Sequence, residues 1–244
     1  MVKFFGELPA VNGIGFRVEQ GEIFGLIGPN GSGKTTIFNL INHFITLDAG
    51  EIFFYGKDLH GLAPQRINKL GIARTFQTPQ ISFSMSVLDQ VTAAAFCRTN
   101  RMKQARESAR ECLAFCGLES RGEYPAAGLP VGLRKRLELA RALATRPQLM
   151  LLDETFSGLN PSEINQALDL IKKINSQGIT LIIIEHIMKV IMAISDRILV
   201  INHGRVITEG TPETVSQTPQ VIEAYLGKKD RAGIDSVVNA GGRG

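Results

Sequence analysis

The stretch EIFGLIGPNGSGKTTIFNLI (Glu22–Ile41) decides how the rest of the chain is read. Its first third is a continuous apolar run, the mark of a strand buried on both faces. Its last third repeats apolar residues at helical spacing. Between them Gly28, Pro29, Asn30, Gly31, Ser32, Gly33, Lys34 and Thr35 fit G-x-x-x-x-G-K-[ST], the phosphate-binding loop, in the strand–loop–helix setting that the motif requires. The composition follows from the chemistry. Backbone N–H groups must approach phosphate oxygens closely, and glycine has no Cβ in the way. The helix N-terminus adds partial positive charge. Lys34 supplies a mobile cation for the outer phosphates, the Thr35 hydroxyl is an Mg²⁺ ligand, and Thr36 is counted with the nucleotide-binding residues. The loop predicts a chain that binds a nucleoside triphosphate.

Working outward, IGFRV (Ile14–Val18) and GEIFFYG (Gly50–Gly56) read as strands. Pro64–Leu70 reads as a short helix, followed by the strand GIARTF (Gly71–Phe76). From Ser86 to about Cys116 the period turns helical, which suggests a separate helical lobe. Strand and helix then alternate: LRKRLELARAL (Leu133–Leu143), QLMLLD (Gln148–Asp153), a helix from Pro161 capped by Asn160, ITLIIIE (Ile179–Glu185), a short helix, then DRILVIN and RVITEG around a turn at His203-Gly204. Continuous apolar strands separated by helices predict a parallel sheet covered on both faces.

A phosphate loop works with a carboxylate at the end of a neighbouring strand. LMLLDE supplies Asp153 for the Mg²⁺ shell and Glu154 beside it as general base for the attacking water. Two adjacent acids ending a buried strand require something cationic to hold them. His186 ends the next apolar strand and is expected at the γ-phosphate. Gln77 ends GIARTF at the border of the helical lobe, where its amide reaches Mg²⁺ or water and reports nucleotide state to that lobe.

The bulk numbers set limits. The 244 residues suffice for one substantial core or for a domain with a smaller lobe. The longest strongly apolar stretch, ITLIII, is far short of the ~20 residues of a membrane-spanning helix, and no secretion signal opens the chain. Work at a membrane must go through a partner. The net charge is +4. Half of it sits in the last 17 residues, where Lys228, Lys229, Arg231 and Arg243 face Asp230 and Asp235. That is a poor footprint for nucleic acid. Cys97, Cys112 and Cys116 form no metal pattern and read as small core residues in a reducing compartment.

Taken in order, Gly28–Thr35, Gln77, LPVGLRKRLELARAL (Leu129–Leu143), Asp153-Glu154, SGLN (Ser157–Asn160) and His186 resemble the nucleotide-binding subunit of an ABC transporter, from about Val2 to Gly227. ARTFQ, the GLN after the acids, SDRILVINHG and AYLG (Ala224–Gly227) are similar to the subgroup serving branched-chain amino acid importers. The resemblance implies an α/β P-loop NTPase core, residues 1–77 and 146–227, with a small antiparallel β subdomain and an inserted helical lobe, residues 78–145. A tail, 228–244, follows. It implies ATP and Mg²⁺ as ligands and ATP hydrolysis as the activity. It also implies a head-to-tail pair with a second cassette, identical or different, and a seat on the cytoplasmic face of the membrane against a permease. The permease grip falls on TPQISFSMSVLDQV (Thr78–Val91), where Phe83 and Met85 are either partner contacts or lobe core. Phe5 matches the aromatic that stacks on adenine, a role that Phe4 can exchange with it.

LPVGLRKR (Leu129–Arg136) stands at the signature position, usually L-S-G-G-Q, where a helix N-terminus faces the γ-phosphate across the pair. Leu129 and Gly132 match. Pro130 replaces the serine, removing a hydroxyl and a backbone N–H, while Val131 and Leu133 replace a small or aromatic residue and the glutamine. The resemblance makes this a phosphate clamp with missing parts, and its basic trio matches the family's helix start. Thr155 replaces a proline and Ile187 an aspartate; neither change removes a catalytic group. Family members carry a further strand ahead of VKFFGELPAV, so the domain's usual start is expected upstream of Met1.

Two other classes are weaker. A soluble ABC ATPase acting on nucleic acid or ribosomes usually has two cassettes or long arms, against one phosphate loop and little excess charge here. A small-molecule P-loop kinase gives no reason for the signature segment, Glu154 and His186 together.

Overall fold

A computed structural model describes residues 1–77 and 80–221. In chain order its elements are β1 (Val2–Phe5), β2 (Leu8–Asn12), β3 (Ile23–Ile27), α1 (Lys34–Ile41), β4 (Phe53–Phe54), β5 (Lys57–Asp58), α2 (Pro64–Leu70), β6 (Ile72–Arg74), α3 (Val87–Ala95) and α4 (Met102–Phe115). There follow α5 (Val131–Ala144), β7 (Leu149–Asp153), α6 (Pro161–Ser176), β8 (Thr180–Ile184), α7 (Met188–Ile194), β9 (Arg197–Asn202), β10 (Arg205–Gly210) and α8 (Pro212–Ser216). The chain forms two compact units, Met1–Leu62 with Ile182–Gly244, and Ala63–Leu181. AYLG and the 228–244 tail lie outside the described residues, as do Thr78 and Pro79 of the expected permease segment.

In the first unit β3 pairs parallel with β9, Phe24 facing Arg197 and Ile27 facing Val200. β10 then pairs antiparallel with β9 through the turn at His203-Gly204. The sheet is therefore mixed rather than wholly parallel. β3 and β9 are buried throughout their middles: Phe24, Leu26, Ile27, Ile198 and Leu199 have no exposed surface, and neither do Ile37 and Phe38 of α1. Two hairpins, β1–β2 and β4–β5, form the small antiparallel sheets.

Two expected strands differ. Gly50–Gly56 keeps strand geometry only at Phe53–Phe54, because Tyr55 at φ 48° and Gly56 at φ 74° turn the chain back into β5. Ile14–Val18 alternates buried and exposed like a strand but joins no ladder. The Ile14 carbonyl accepts from the Met1 ammonium (2.8 Å), and the Arg17 carbonyl from the Arg197 guanidinium (2.5 Å).

In the second unit β6 pairs parallel with β7, Ile72 facing Leu149 and Arg74 facing Leu151. Helices α3, α4 and α5 pack on one another around Leu88, Val91, Leu113 and Leu137, all buried. Side-chain caps start α3 and α6. Ser86 caps α3 by accepting from the Asp89 N–H (3.0 Å). Asn160 caps α6 ahead of Pro161, as read from sequence, and Glu163 completes a reciprocal capping box with it. β8 carries five buried residues across the division between the units.

Candidate nucleotide site

The phosphate loop belongs to the first unit. β3 delivers Gly28, where a Cβ would lie 2.3 Å from the Ile201 carbonyl and 2.3 Å from Ser32 Oγ, so only glycine fits. Gly33 has φ 108°, and a Cβ there would lie 2.4 Å from the Ala10 carbonyl. Both obstacles include backbone, which does not swing aside as a side-chain tip does. Behind the loop the Gly204 N–H donates to the Ser32 carbonyl (3.0 Å), tying it to the β9–β10 turn. Lys34 is buried at 6% exposure, and its ammonium donates to the Gly28 (2.7 Å) and Pro29 (2.9 Å) carbonyls, spanning the loop it follows. α1 has no capping side chain and no acid in its first turn, so the helix itself places no negative charge at its N-terminus. Thr35 is exposed there, Thr36 is half-buried, and Asn30 and Gly31 are exposed.

His186 follows β8 in the same unit, exposed, its N–H donating to the Glu185 carboxylate (3.3 Å). Phe5 is 51% exposed at the β1–β2 turn with the Lys3 ammonium 5.8 Å from its ring centre, and Phe4 is 41% exposed.

The acidic strand end belongs to the second unit. Asp153 is 2% exposed, and its carboxylate meets the Arg74 guanidinium at 2.9 Å. This is the cation that the buried Asp153 requires, and the sequence reading passed over it. Its signal was an arginine inside the apolar strand end GIARTF. Burial pulls the Arg74 guanidinium below its ordinary pKa, while Asp153 supports its charged form. Thr75 cross-links the two strand ends, its N–H donating to the Leu151 carbonyl (2.9 Å) and its Oγ accepting from the Asp153 N–H (3.1 Å).

One residue on, Glu154 takes φ 49°, a left-handed conformation that turns the chain out of β7. The Gln77 amide donates to its carboxylate at 2.7 Å, so the glutamine that ends one strand and the acid that follows the next are brought together. Lys135 Nζ donates to the Glu154 carbonyl at 3.0 Å.

The signature segment opens α5 in this unit. Pro130 is the N-cap and makes no side-chain capping bond, Leu129 is buried and Val131 is half exposed. Gly132 abuts α6: a Cβ would lie 2.7 Å from Glu163 Oε1, and Glu163 is held by the capping box. Leu133 and Thr155 border a cavity of about 160 Å³ between α5 and α6. The basic trio binds inward. Arg134 donates to the Leu129 (2.7 Å) and Ala127 (3.3 Å) carbonyls, Lys135 to Glu154, and Arg136 to the Gln166 side chain. Phe83 is 53% exposed under the Arg134 guanidinium and Met85 is 37% exposed, so neither is lobe core. Burial pushes the Cys112 thiol up to about 11 and the Cys116 thiol to about 12, as expected of packing residues; no disulfide forms among Cys97, Cys112 and Cys116.

The family model described as ABC transporter matches residues 11–157. The chain belongs to this family. A second model, the branched-chain amino acid ATP-binding cassette transporter, matches residues 205–231. The cassette is 38% identical over 242 residues to the high-affinity branched-chain amino acid transport ATP-binding protein BraF of Pseudomonas aeruginosa, covering 92% of this chain and 94% of that one. It is 37% identical over 240 residues to LivG of Escherichia coli, with the same coverage. Among solved structures, a nucleotide-free ATP-binding cassette from an ABC transporter superposes with a TM-score of 0.84 at 31% identity, covering 93% of this chain and 96% of that one. The ADP conformation of an ATP-binding cassette of an ABC transporter gives 0.84 at 32% identity and the same coverage. The fold is thus that of the P-loop cassettes, and the chain is an ATP-binding, ATP-hydrolysing subunit. No helix among the described residues is long and apolar enough to cross a membrane.

Proposed function

We propose that this cassette powers import of branched-chain amino acids through a membrane permease from the cytoplasmic face. The observation that carries the catalytic part is the 2.7 Å hydrogen bond from Gln77 to Glu154 at the end of a buried strand. It supports Glu154 as the general base that takes a proton from the attacking water, with Gln77 orienting it. Gly28–Thr36 are assigned to the phosphates, His186 to the γ-phosphate, and Phe5 to the adenine face. Residues 1–77 and 146–227 are assigned to the nucleotide-binding core and 78–145 to the helical lobe, with Phe83 and Met85 turned to the permease.

The proposed metal donors are all oxygens: the Thr35 hydroxyl, the Asp153 carboxylate and the Gln77 amide oxygen. The Gln77 nitrogen faces Glu154, so the oxygen is the ligand atom. A few protein oxygens completed by phosphates and water suit Mg²⁺, which when bound neutralises charge developing on the β- and γ-phosphoryl oxygens. The substrate assignment rests on the relatives and on residues 205–231.

Two measurements test the proposal. Light scattering of Glu154→Gln with and without Mg-ATP should show a nucleotide-dependent dimer; a monomer that still binds ATP points to a different partner cassette. With its permease in proteoliposomes, ATP should drive uptake of leucine, isoleucine and valine, and Glu154→Gln should abolish it. Equal uptake of unrelated amino acids would overturn the substrate.

A further inference from the structure

Lys135 and Glu138 are the two charged residues that α5 buries, each at 6% exposure. Three positions apart, they share one face of the helix. Lys135 donates to the Glu154 backbone carbonyl at 3.0 Å. Glu138 Oε1 accepts from the backbone N–H of Phe76, the residue before Gln77, at 3.2 Å. Between these two anchors runs the Gln77–Glu154 hydrogen bond of 2.7 Å. The circuit closes: α5 to residues 76–77, across to 154, and back to α5.

Each anchor grips backbone rather than a side chain, so it sets where the functional side chain starts. Glu154 most requires this, because φ 49° is a conformation that a residue with a side chain keeps only when its surroundings impose it. An ammonium taken out of water is expensive unless its protons are placed on acceptors. Lys135 has such an acceptor in the carbonyl of this left-handed residue. Burial raises the Glu138 carboxyl, and the Phe76 N–H and the Lys135 charge oppose that rise.

We infer that Lys135 and Glu138 are positioning residues, through which α5 holds Gln77 and Glu154 in the relative placement needed to activate water. The inference rests on the reading of Glu154 as general base. Since α5 begins with the signature segment, a shift at its first turn is transmitted to the base through side chains on its next two turns.

The test uses the full chain in five variants: Lys135→Met, Lys135→Arg, Glu138→Leu, Glu138→Gln and Glu154→Gln. In steady-state ATP hydrolysis Lys135→Met should lower kcat about tenfold or more while KM moves less than about twofold, and Lys135→Arg should restore most of the loss. Backbone hydrogen exchange supplies a readout independent of turnover. Exchange at Phe76 should speed up in Glu138→Leu and stay slow in Glu138→Gln, which keeps the acceptor. An unchanged kcat in a folded Lys135→Met, or a loss that Lys135→Arg shares and that follows the melting temperature, overturns the inference. If Lys135→Met does not fold, the Glu138 pair decides: equal kcat and equal exchange in Glu138→Leu and Glu138→Gln also overturns it. Glu154→Gln separates the two levels. Hydrolysis that survives this change removes the general-base reading itself, whereas its loss beside an unaffected Lys135→Met removes only the positioning role.

Discussion

The phosphate loop and the signature segment are both glycine-bearing turns that open a helix, yet their glycines meet different obstacles. At Gly33 a Cβ would strike the Ala10 carbonyl, with φ at 108° as well; at Gly132 it would strike the end of the Glu163 side chain. Backbone is fixed by the ladder it belongs to, while a carboxylate can rotate once its capping box is released. The loop accordingly keeps every position of its motif. The signature has lost its serine and glutamine, while retaining the helix start and the packing glycine. A motif whose atoms are backbone N–H groups tolerates less variation than one whose contacts come partly from side chains.

This contrast can be broken experimentally, beginning where the effect is largest. Gly33→Ala should reduce ATP affinity by about 100-fold or more, since the loop cannot keep its left-handed turn and its approach to phosphate together. Isothermal titration with ATP measures this, and near-normal affinity would refute the backbone argument. Next, Pro130→Ser with Leu133→Gln restores one hydroxyl, one backbone N–H and one amide. A charge-assisted hydrogen bond of about 1.5–3 kcal/mol should then raise hydrolysis at the nucleotide facing this segment by roughly tenfold or more. An unchanged rate would show that the helix N-terminus and Gly132 suffice.

Asymmetry is a related expectation. If a different cassette completes the pair, alanine at Lys34 and at the partner's corresponding lysine should slow transport unequally, and equal slowing refutes this. The smallest effect belongs to Gly132→Ala, which should cost about 1 kcal/mol in chemical denaturation by displacing Glu163 from its cap. Adding Glu163→Ala should make the Gly132 substitution nearly neutral. A cost that persists in the double variant would place the obstacle in the backbone and erase the difference between the two turns.

Much of the site was legible because it is written in local chemistry. Gly28–Thr35 followed a strand and opened a helix, Asp153 and Glu154 ended another strand, and Asn160 before Pro161 marked a helix start. The strand expected at Ile14–Val18 shows the limit of such reading. Its alternation is real, but a strand exists only when a neighbour takes its N–H and C=O groups, and here the Met1 ammonium and Arg197 take two of the carbonyls. The helical reading of residues 86–116 likewise gave no account of the break between α3 and α4.

By itself the sequence determined the alternation of helix and strand from Leu133 to Gly210, the phosphate loop and its lysine, the acidic strand end, and the family to which they belong. These depend on residue type and on spacing within one turn or one strand, which the chain carries wherever it folds. Only the tertiary structure decided that Arg74 neutralises Asp153 and that Gln77 reaches Glu154. It also decided that Lys135, one of three basic residues in a row, turns inward to the Glu154 carbonyl while Glu138 holds Phe76. The residues of these contacts are 19 to 79 positions apart. A charged group in a low-dielectric interior takes whichever partner packing brings within about 3 Å, a choice that local sequence does not encode.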